Sequence, residues 1–399
     1  MNKKELKIRK FPYPFKAGLS VSNDCEFTNI DFLDHLLNFC NTDNETVLGK
    51  GLALPLSSSL FFFSSNPGDS PYYLLDKSRN ISSPPWQEKL RRFCLSGYLD
   101  TIHSYGNFDS NILFSRSLSE MALRESDKNG FTFQVYTNHG NSKNIQNIGG
   151  DAAYHQGDLI GASAYHADMT LAHGVRFLWS DSCVTENWNI GFKQILKMAR
   201  RLHWMKPFQL LQESHLQDQQ PIIRFYRLRG TGRYAPNLSS LEYQLSAPFL
   251  EEIIRRQVAV VIYQHLGILY KTGDSITPAT VDSVRNQPHF LAPLQRLARY
   301  FHDGSIWVEH LATFLNFFYW RDRIQVNKNN SRVEITSVVP IREERIAEEL
   351  QYQTIYIEYD HSLEIVCRGR LLPFIYNGPD ETGRYSITIS PKSKGNIWR

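Results

Sequence analysis

Short apolar runs, each closing on polar residues and followed by a stretch with helical spacing, recur about seven times before residue 270. The first run is GLSVSND at 18–24, and the stretch after it, 31–40, sets Phe32, Leu33, Leu36, Leu37 and Phe39 at helical spacing. A second strand is expected at 51–56 with a further extended piece at 60–63, then a helix at 86–95 and a third strand at 99–104. A helix at 112–125 runs toward Gly130, a stop signal, and leads to the fourth strand, 131–137, which closes on Asn138-His139-Gly140. Strands at 175–181, 222–228 and 258–265 follow, with helices expected at 192–202 and 241–256, and at 290–301 and 306–319 beyond. Between the fourth and fifth strands lies a polar stretch, about 141–168, too long for a plain connector.

Strands that alternate with helices imply a parallel sheet. Seven such units in about 270 residues fit a closed or nearly closed barrel better than an open sheet. The expected fold is therefore α/β, a distorted seven-stranded (β/α) barrel with flanking helices over 1–324. From about Gln325 the texture changes to short strands separated by turns, VEITSVV, TIYIEY, LEIVCRG, LPFIY and YSITIS, which predict a small antiparallel, sandwich-like β domain over 325–399.

Of the 399 residues 42% are hydrophobic and 21% charged, ordinary for a globular protein. The 44 Lys and Arg against 40 Asp and Glu leave +4, too slight an excess to argue for nucleic acid or an anionic membrane. The 20 Tyr, 24 Phe and 7 Trp are generous; most aromatics belong to cores, yet a surplus also suits a cleft that stacks on sugar rings. Cys25, Cys40, Cys94, Cys183 and Cys367 are odd in number and include no C-x-x-C pair, which argues against a disulfide framework and a thiolate zinc site. MNKKELKIRKFPYPF has no apolar segment of the secretory kind, and no run approaches the ~20 residues of a membrane helix, so a soluble cytoplasmic protein is expected.

In barrels of this kind the reactive residues sit at the C-terminal strand ends and on the loops after them. Those ends carry Asn23-Asp24, His103, Asn138-His139, Trp179 and Asp181, Arg227 and His265. Two imidazoles and a carboxylate suit a divalent metal that keeps positions open for water and substrate. Asp24, His103 and His139 are the expected ligands and Zn2+ the expected ion, there to activate water and polarise a carbonyl. His265 would protonate a leaving group, and Asp24 or Asp181 would complete the catalytic set. Asn23, Tyr105, Asp109 and Asn138, with His166, Asp168, Trp179 and Arg227, are candidates for substrate contact.

Each candidate also has a structural reading. Asp24 could cap the turn after Asn23, His103 and His139 could hydrogen-bond neighbouring loops, and His265 could be a satisfied core histidine. His155 with Asp158, and His166 with Asp168, suit loop structure or substrate contact better than ligation. His35, His203 and His302 fall in or beside expected helices and read as structural. Arg227 and Arg229 could bind an anionic group, although pairing with Asp181 is the simpler role.

The pattern resembles the polysaccharide deacetylase (NodB-homology) superfamily over about residues 15–270. On that resemblance an aspartate dyad follows the first strand, where this chain has Asn23-Asp24. Metal-binding histidines follow the third, where it has His103 in DTIHSYGNFD, and a histidine acid ends the last, where it has His265 in IYQHLG. DTIHSYGNF, TNHGNSKNIQN and YHAD are also similar to bacterial proteins associated with surface-polysaccharide loci. Two departures matter. The family's first acid, its catalytic base, is replaced by Asn23, which cannot take a proton. The usual second histidine is missing, with Asp109 six residues past His103. The resemblance thus implies either that Asp181, Asp168 or Asp109 serves as base with His139 completing the metal site, or that the deacetylase chemistry has been lost or changed.

The expected function is a metal-dependent hydrolase that removes an acyl group from a sugar or polysaccharide. One alternative is a glycoside hydrolase using Asp24 and Asp181 as its carboxylate pair. Another is a catalytically degenerate barrel that binds a glycan or a partner in polysaccharide assembly, for which Asn23 is the best support.

Overall fold

The computed structural model describes residues 4–108, 114–140, 142–180, 183–185, 210–230, 235–273, 275–358, 362–391 and 396–398. The helix expected at 192–202 lies outside them. The fold is mixed α/β, built on parallel sheets covered by helices. Its central strands are β1 (Ala17–Asn23), β2 (Ser58–Leu60), β3 (Leu99–His103), β4 (Val135–Thr137), β5 (Phe177–Trp179), β6 (Pro221–Phe225), β7 (Arg227–Leu228), β8 (Ala259–Gln264) and β9 (Ile306–Val308).

One sheet runs β2-β3-β4-β5-β6, all parallel, and ends on the antiparallel strand Leu211–His215. The other runs β9-β1-β8-β7 and ends on Val184–Thr185, all parallel. Strands buried on both faces need apolar runs rather than alternation, and β1 is buried throughout. Register sets the functional edge: His103 lies opposite Thr137 and Thr137 opposite Trp179, while Asn23 lies opposite Gln264. The residues after these ends therefore leave their sheets level with one another.

Two seams join the sheets. Only Tyr226 separates β6 from β7, so one run of chain leaves the first sheet and enters the second. At the other seam side chains replace a ladder: Asn23 Nδ2 donates to Ser58 Oγ at 2.8 Å, and the Cys25 N–H donates to Ser59 Oγ at 3.1 Å. Among the described residues the ladders form two sheets and no closed barrel.

Helix α1 (Ile30–Asn41) starts at Asn29, whose side chain accepts from the Phe32 N–H, and buries Phe32, Leu33, Leu36, Leu37, Phe39 and Cys40. The second strand does not form at 51–56. There the N–H groups of Leu52, Ala53 and Leu54 donate to the carbonyls of Phe39, Thr42 and Cys40, so the segment satisfies the end of α1 instead of a neighbouring strand. The helix expected at 241–256 is broken into Leu241–Gln244 and Ala247–Arg256, with Pro248 in the first turn of the second piece. The helix expected at 306–319 opens as β9, which pairs with Ala17–Leu19, before the helix Leu311–Arg321 begins.

Toward the C-terminus a five-stranded and a three-stranded sheet share a separate apolar cluster that includes Val333, Ile335, Ile355, Ile365, Ile387 and Trp320. This unit is not purely antiparallel: Arg332–Ser337 pairs in parallel with Glu364–Cys367, and Lys4–Glu5 adds an edge strand. No helix among the described residues is long and apolar enough to cross a membrane.

Candidate functional site

Where β1 ends, the chain continues Asp24-Cys25-Glu26, and Glu26 turns back across the strand ends. Its Oε1 lies 2.9 Å from His139 Nδ1, 3.1 Å from His103 Nε2 and 3.6 Å from His265 Nε2. His103 is the last residue of β3, His139 lies two past β4, and His265 directly follows β8. All four side chains are buried, and Glu26 Oε2 has no hydrogen-bond partner among the described residues.

Proton bookkeeping makes this arrangement unusual. His103 Nδ1 lies 2.8 Å from the Thr137 hydroxyl and 3.1 Å from the Thr137 carbonyl, so it can accept from the one or donate to the other, and Nε2 can then donate to Glu26 or accept. His265 Nδ1 donates to the Pro236 carbonyl at 2.9 Å. In its neutral form that ring would aim an Nε2 lone pair at the Glu26 carboxylate. This contact calls for positive charge, either a proton or a cation. Two overlapping sets, Glu26/His103/His139 and Asp24/Glu26/His265, each bring one ligand atom per residue within 4.8 Å of the others. These buried clusters could hold a metal ion, and the orphaned Glu26 oxygen fits that use.

Phe61 stacks on the His103 ring at 4.9 Å and meets the His139 ring edge-on at 5.2 Å, giving the histidines an apolar wall. Burial works to push the Glu26 carboxyl up, but the His103 and His265 rings and the hydrogen bonds from His103 and His139 outweigh it and hold it well below the usual range. For His265, burial favours the neutral ring, yet the Glu26 and Asp24 carboxylates and the Pro236 carbonyl raise its pKa above the ordinary value.

Asp24 faces the other way with one oxygen. Arg227 Nη1 donates to Asp24 Oδ1 at 2.7 Å and to Ser22 Oγ at 3.0 Å. The guanidinium carbon lies 3.4 Å from the centre of the Trp179 ring and 3.8 Å from that of Tyr263, so the cation is clamped between two aromatic faces. Asp24 Oδ2 is left 3.9 Å from His103 Nε2.

The expected ligand triple therefore changes: Glu26, rather than Asp24, groups with His103 and His139. Arg227 and Trp179, expected at the substrate, anchor Asp24. Asn23 is a clip; its Oδ1 accepts from the Leu266 N–H at 2.7 Å while its Nδ2 holds Ser58. Asn138 pins the long loop, donating to the Ile148 carbonyl at 2.7 Å and accepting from the Ile148 N–H at 3.1 Å. His166 bonds Thr170 Oγ1 and the Gln146 carbonyl, each at 2.8 Å, and Tyr105 Oη bonds the same Thr170 hydroxyl. Both belong to a buried network because their polar atoms are already engaged there. Asp168 forms a two-pronged pair with Arg116 at 2.8 and 2.9 Å, which ties up both oxygens on the surface. Asp158 accepts from the Gly149 and Gln217 N–H groups and braces the loop. Asp109 and Asp181 lie outside the described residues.

Glu26, Phe61 and Tyr263 belong to this cluster and were missed by the sequence reading. For Glu26 a signal existed: D-x-E puts a second carboxylate two residues past a strand-end aspartate. Compared with protein-family models and with curated proteins, the chain matches none.

Proposed function

We propose that this chain is a metal-dependent hydrolase that removes an acyl group from a sugar or polysaccharide, on a distorted seven-stranded barrel like that of the polysaccharide deacetylases. The observation that carries the reading is the convergence of three imidazole nitrogens on one buried carboxylate oxygen, at 2.9, 3.1 and 3.6 Å. The strand order supports the barrel, since β1-β8-β7, the β6–β7 run, and β5-β4-β3-β2 read around a ring whose last gap is bridged by Asn23–Ser58 and Cys25–Ser59.

In this reading Glu26, His103 and His139 hold the ion, Zn2+ being the fitting choice for two imidazoles and a carboxylate. Bound there, it would supply Lewis acidity to the acyl carbonyl and lower the pKa of water. The chain's own groups handle the protons. Asp24, oriented and charge-balanced by Arg227, has Oδ2 turned to the site and takes the proton of the attacking water. His265, its Nδ1 fixed on Pro236, presents Nε2 as the acid; its raised pKa keeps a proton available for the leaving nitrogen or oxygen as the acyl bond breaks. Water is consumed, and a carboxylic acid and a free amine or hydroxyl result. Asn23 then marks no loss of the base, because the basic role sits one residue later, on Asp24.

The test is metal content by elemental analysis together with acetate release from acetylated sugars, for wild type and His103→Ala. About one Zn2+ per chain and acetate release, both lost in the variant, are expected. Metal-free wild-type protein that releases acetate would overturn the reading. New reducing ends without acetate would favour a glycosidase, and glycan binding without either product a binding protein.

A further inference from the structure

We propose that Asp69 is a positioning residue, holding the loops of Glu26 and His103 at the separation a metal ion needs; the proposal rests on reading those residues as ligands. Asp69 closes the short turn Pro67–Asp69 and is buried. Its Oδ1 accepts from the Phe27 N–H at 3.1 Å and from Asn66 Nδ2 at 3.1 Å. Its Oδ2 accepts from Ser64 Oγ at 2.8 Å and from Asn107 Nδ2 at 3.2 Å. Two donors on each oxygen fill the capacity of an ionised carboxylate. The Asn66 orientation is fixed independently, because its Oδ1 accepts from the Gly68 N–H at 3.0 Å.

Two of the four donors lead to the candidate ligands. Phe27 follows Glu26 directly and takes φ 56°, a left-handed conformation that costs a non-glycine residue energy. Asn107 lies four residues past His103, beyond Ser104 and Tyr105 at φ 53° and 57°. Gly106 between them passes so close to the next strand that a Cβ would sit 2.1 Å from the Phe63 carbonyl oxygen. Both loops thus leave their strands through backbone that must be held, and the Asp69 carboxylate grips both. It touches neither ligand side chain, so its effect on a metal passes through the loops.

A staple that merely stabilises the fold would lower melting temperature alone. A positioning residue also lowers metal affinity: groups bonded directly to a ligand cost about 10- to 100-fold when lost, and one that acts through the loops costs less. The experiment measures Zn2+ affinity by competition with a chromophoric chelator, and the melting temperature of the metal-free protein, for wild type, Asp69→Ala and Asp69→Asn. In Asp69→Asn an amide N–H2 replaces one accepting oxygen, so the contacts on that side survive only if Ser64 and Asn107 turn an oxygen toward it. Glu349→Gln is the control: that buried carboxylate joins Arg176, Asn316 and Trp320 away from the ligands, and its loss lowers stability without touching the cluster. The expected result is Zn2+ binding weakened by up to about 10-fold in Asp69→Ala, less in Asp69→Asn, and unchanged affinity in Glu349→Gln. Wild-type affinity in Asp69→Ala, or an equal loss in Glu349→Gln, would overturn the proposal. If the Asp69 variants fail to fold, Asn107→Leu removes the tie to the His103 loop and leaves the one to Phe27, and should weaken Zn2+ several-fold; no change there overturns it equally. Wild-type protein that binds no Zn2+ is a separate result, and it removes the metal reading on which this one stands.

Discussion

Two buried histidine networks lie in this molecule, and they behave in opposite ways. Around His166 every polar atom of the ring has a partner that suits a neutral imidazole: one nitrogen donates to the Gln146 carbonyl and the other accepts from the Thr170 hydroxyl. Burial pushes that histidine down to about 4. Around Glu26 the His265 ring spends its Nδ1–H on the Pro236 carbonyl and aims Nε2 at a carboxylate, and its pKa is shifted upward. The same residue types, equally buried, give a self-satisfied brace in one place and, in the other, a cluster that could hold a metal ion. What separates them is whether neutral forms can satisfy all donors and acceptors, which proximity in sequence does not reveal: YHAD packs a histidine and an aspartate together, yet their side chains serve different partners.

The sharpest way to break the comparison is to remove the carboxylate. Glu26→Ala should reduce Zn2+ affinity by at least about 10³-fold, more than an outer-shell change does, while His166→Gln leaves affinity as in wild type. Calorimetric titration of both variants checks this; tight Zn2+ binding by Glu26→Ala would move the site elsewhere.

Next in size is the clamp behind Asp24. Arg227→Met leaves that carboxylate buried without its counter-charge, a change that costs about 3–5 kcal/mol when a buried pair loses one partner. Asp24→Asn combined with Arg227→Met should recover part of the loss, because no lone charge remains. Urea unfolding of the single and double variants measures both, and a double variant no more stable than Arg227→Met alone would show that the aromatic clamp, not the ion pair, is what Arg227 provides.

The two networks also part in pH. His166 titrates near 6.5 when unfolded and near 4 when folded. As pH falls between those values the unfolded chain takes a proton that the folded chain refuses, so the stability contributed by the neutral ring is full above pH 6.5 and is lost on the way to pH 4. At about 1.4 kcal/mol per pKa unit this amounts to roughly 3 kcal/mol. The Asp158 and Asp168 charges oppose the shift and are outweighed by burial. Wild-type stability should therefore drop relative to His166→Gln across that window, as read from denaturation midpoints at a series of pH values; parallel curves would show that the ring is protonated in place.

Much of the frame was legible because buried parallel strands need apolar runs that end in polar residues. That signal located β1, β3 and β8 to within about a residue or two at each end. It failed at β2, where LALPL is apolar for a different reason, lying against α1 and closing its end. It failed at β9, whose Ile-Trp-Val also fits the start of a helix. At the site, strand ends pointed to Asp24, His103, His139 and His265 as a neighbourhood, since register brings strand ends level. Glu26 was not found because it lies past the strand, where position depends on the turn at Phe27 and no longer on strand period. Nor could the sequence show that Arg227 faces Asp24, or that Trp179 stacks on a cation rather than on a ligand, since both follow from how the two sheets meet.

The smallest expected effect comes from Asp168, one of the three carboxylates, with Asp181 and Asp109, expected as alternative bases. Its pair with Arg116 is geometrically good, but the two side chains are 42% and 37% exposed, so water screens the attraction. Exposed pairs of this sort contribute about 0.2–1 kcal/mol. Asp168→Asn should thus shift stability by no more than about that amount and leave acetate release and its pH profile at wild-type levels. Asp24→Asn, by contrast, should abolish the basic limb of the reaction while Zn2+ stays bound through Glu26, His103 and His139. If Asp168→Asn were instead the variant that lost activity with its metal retained, the base would lie on the short helix Ala167–Ala172, and the division between the Glu26 cluster and the His166 brace would have to be redrawn through that helix.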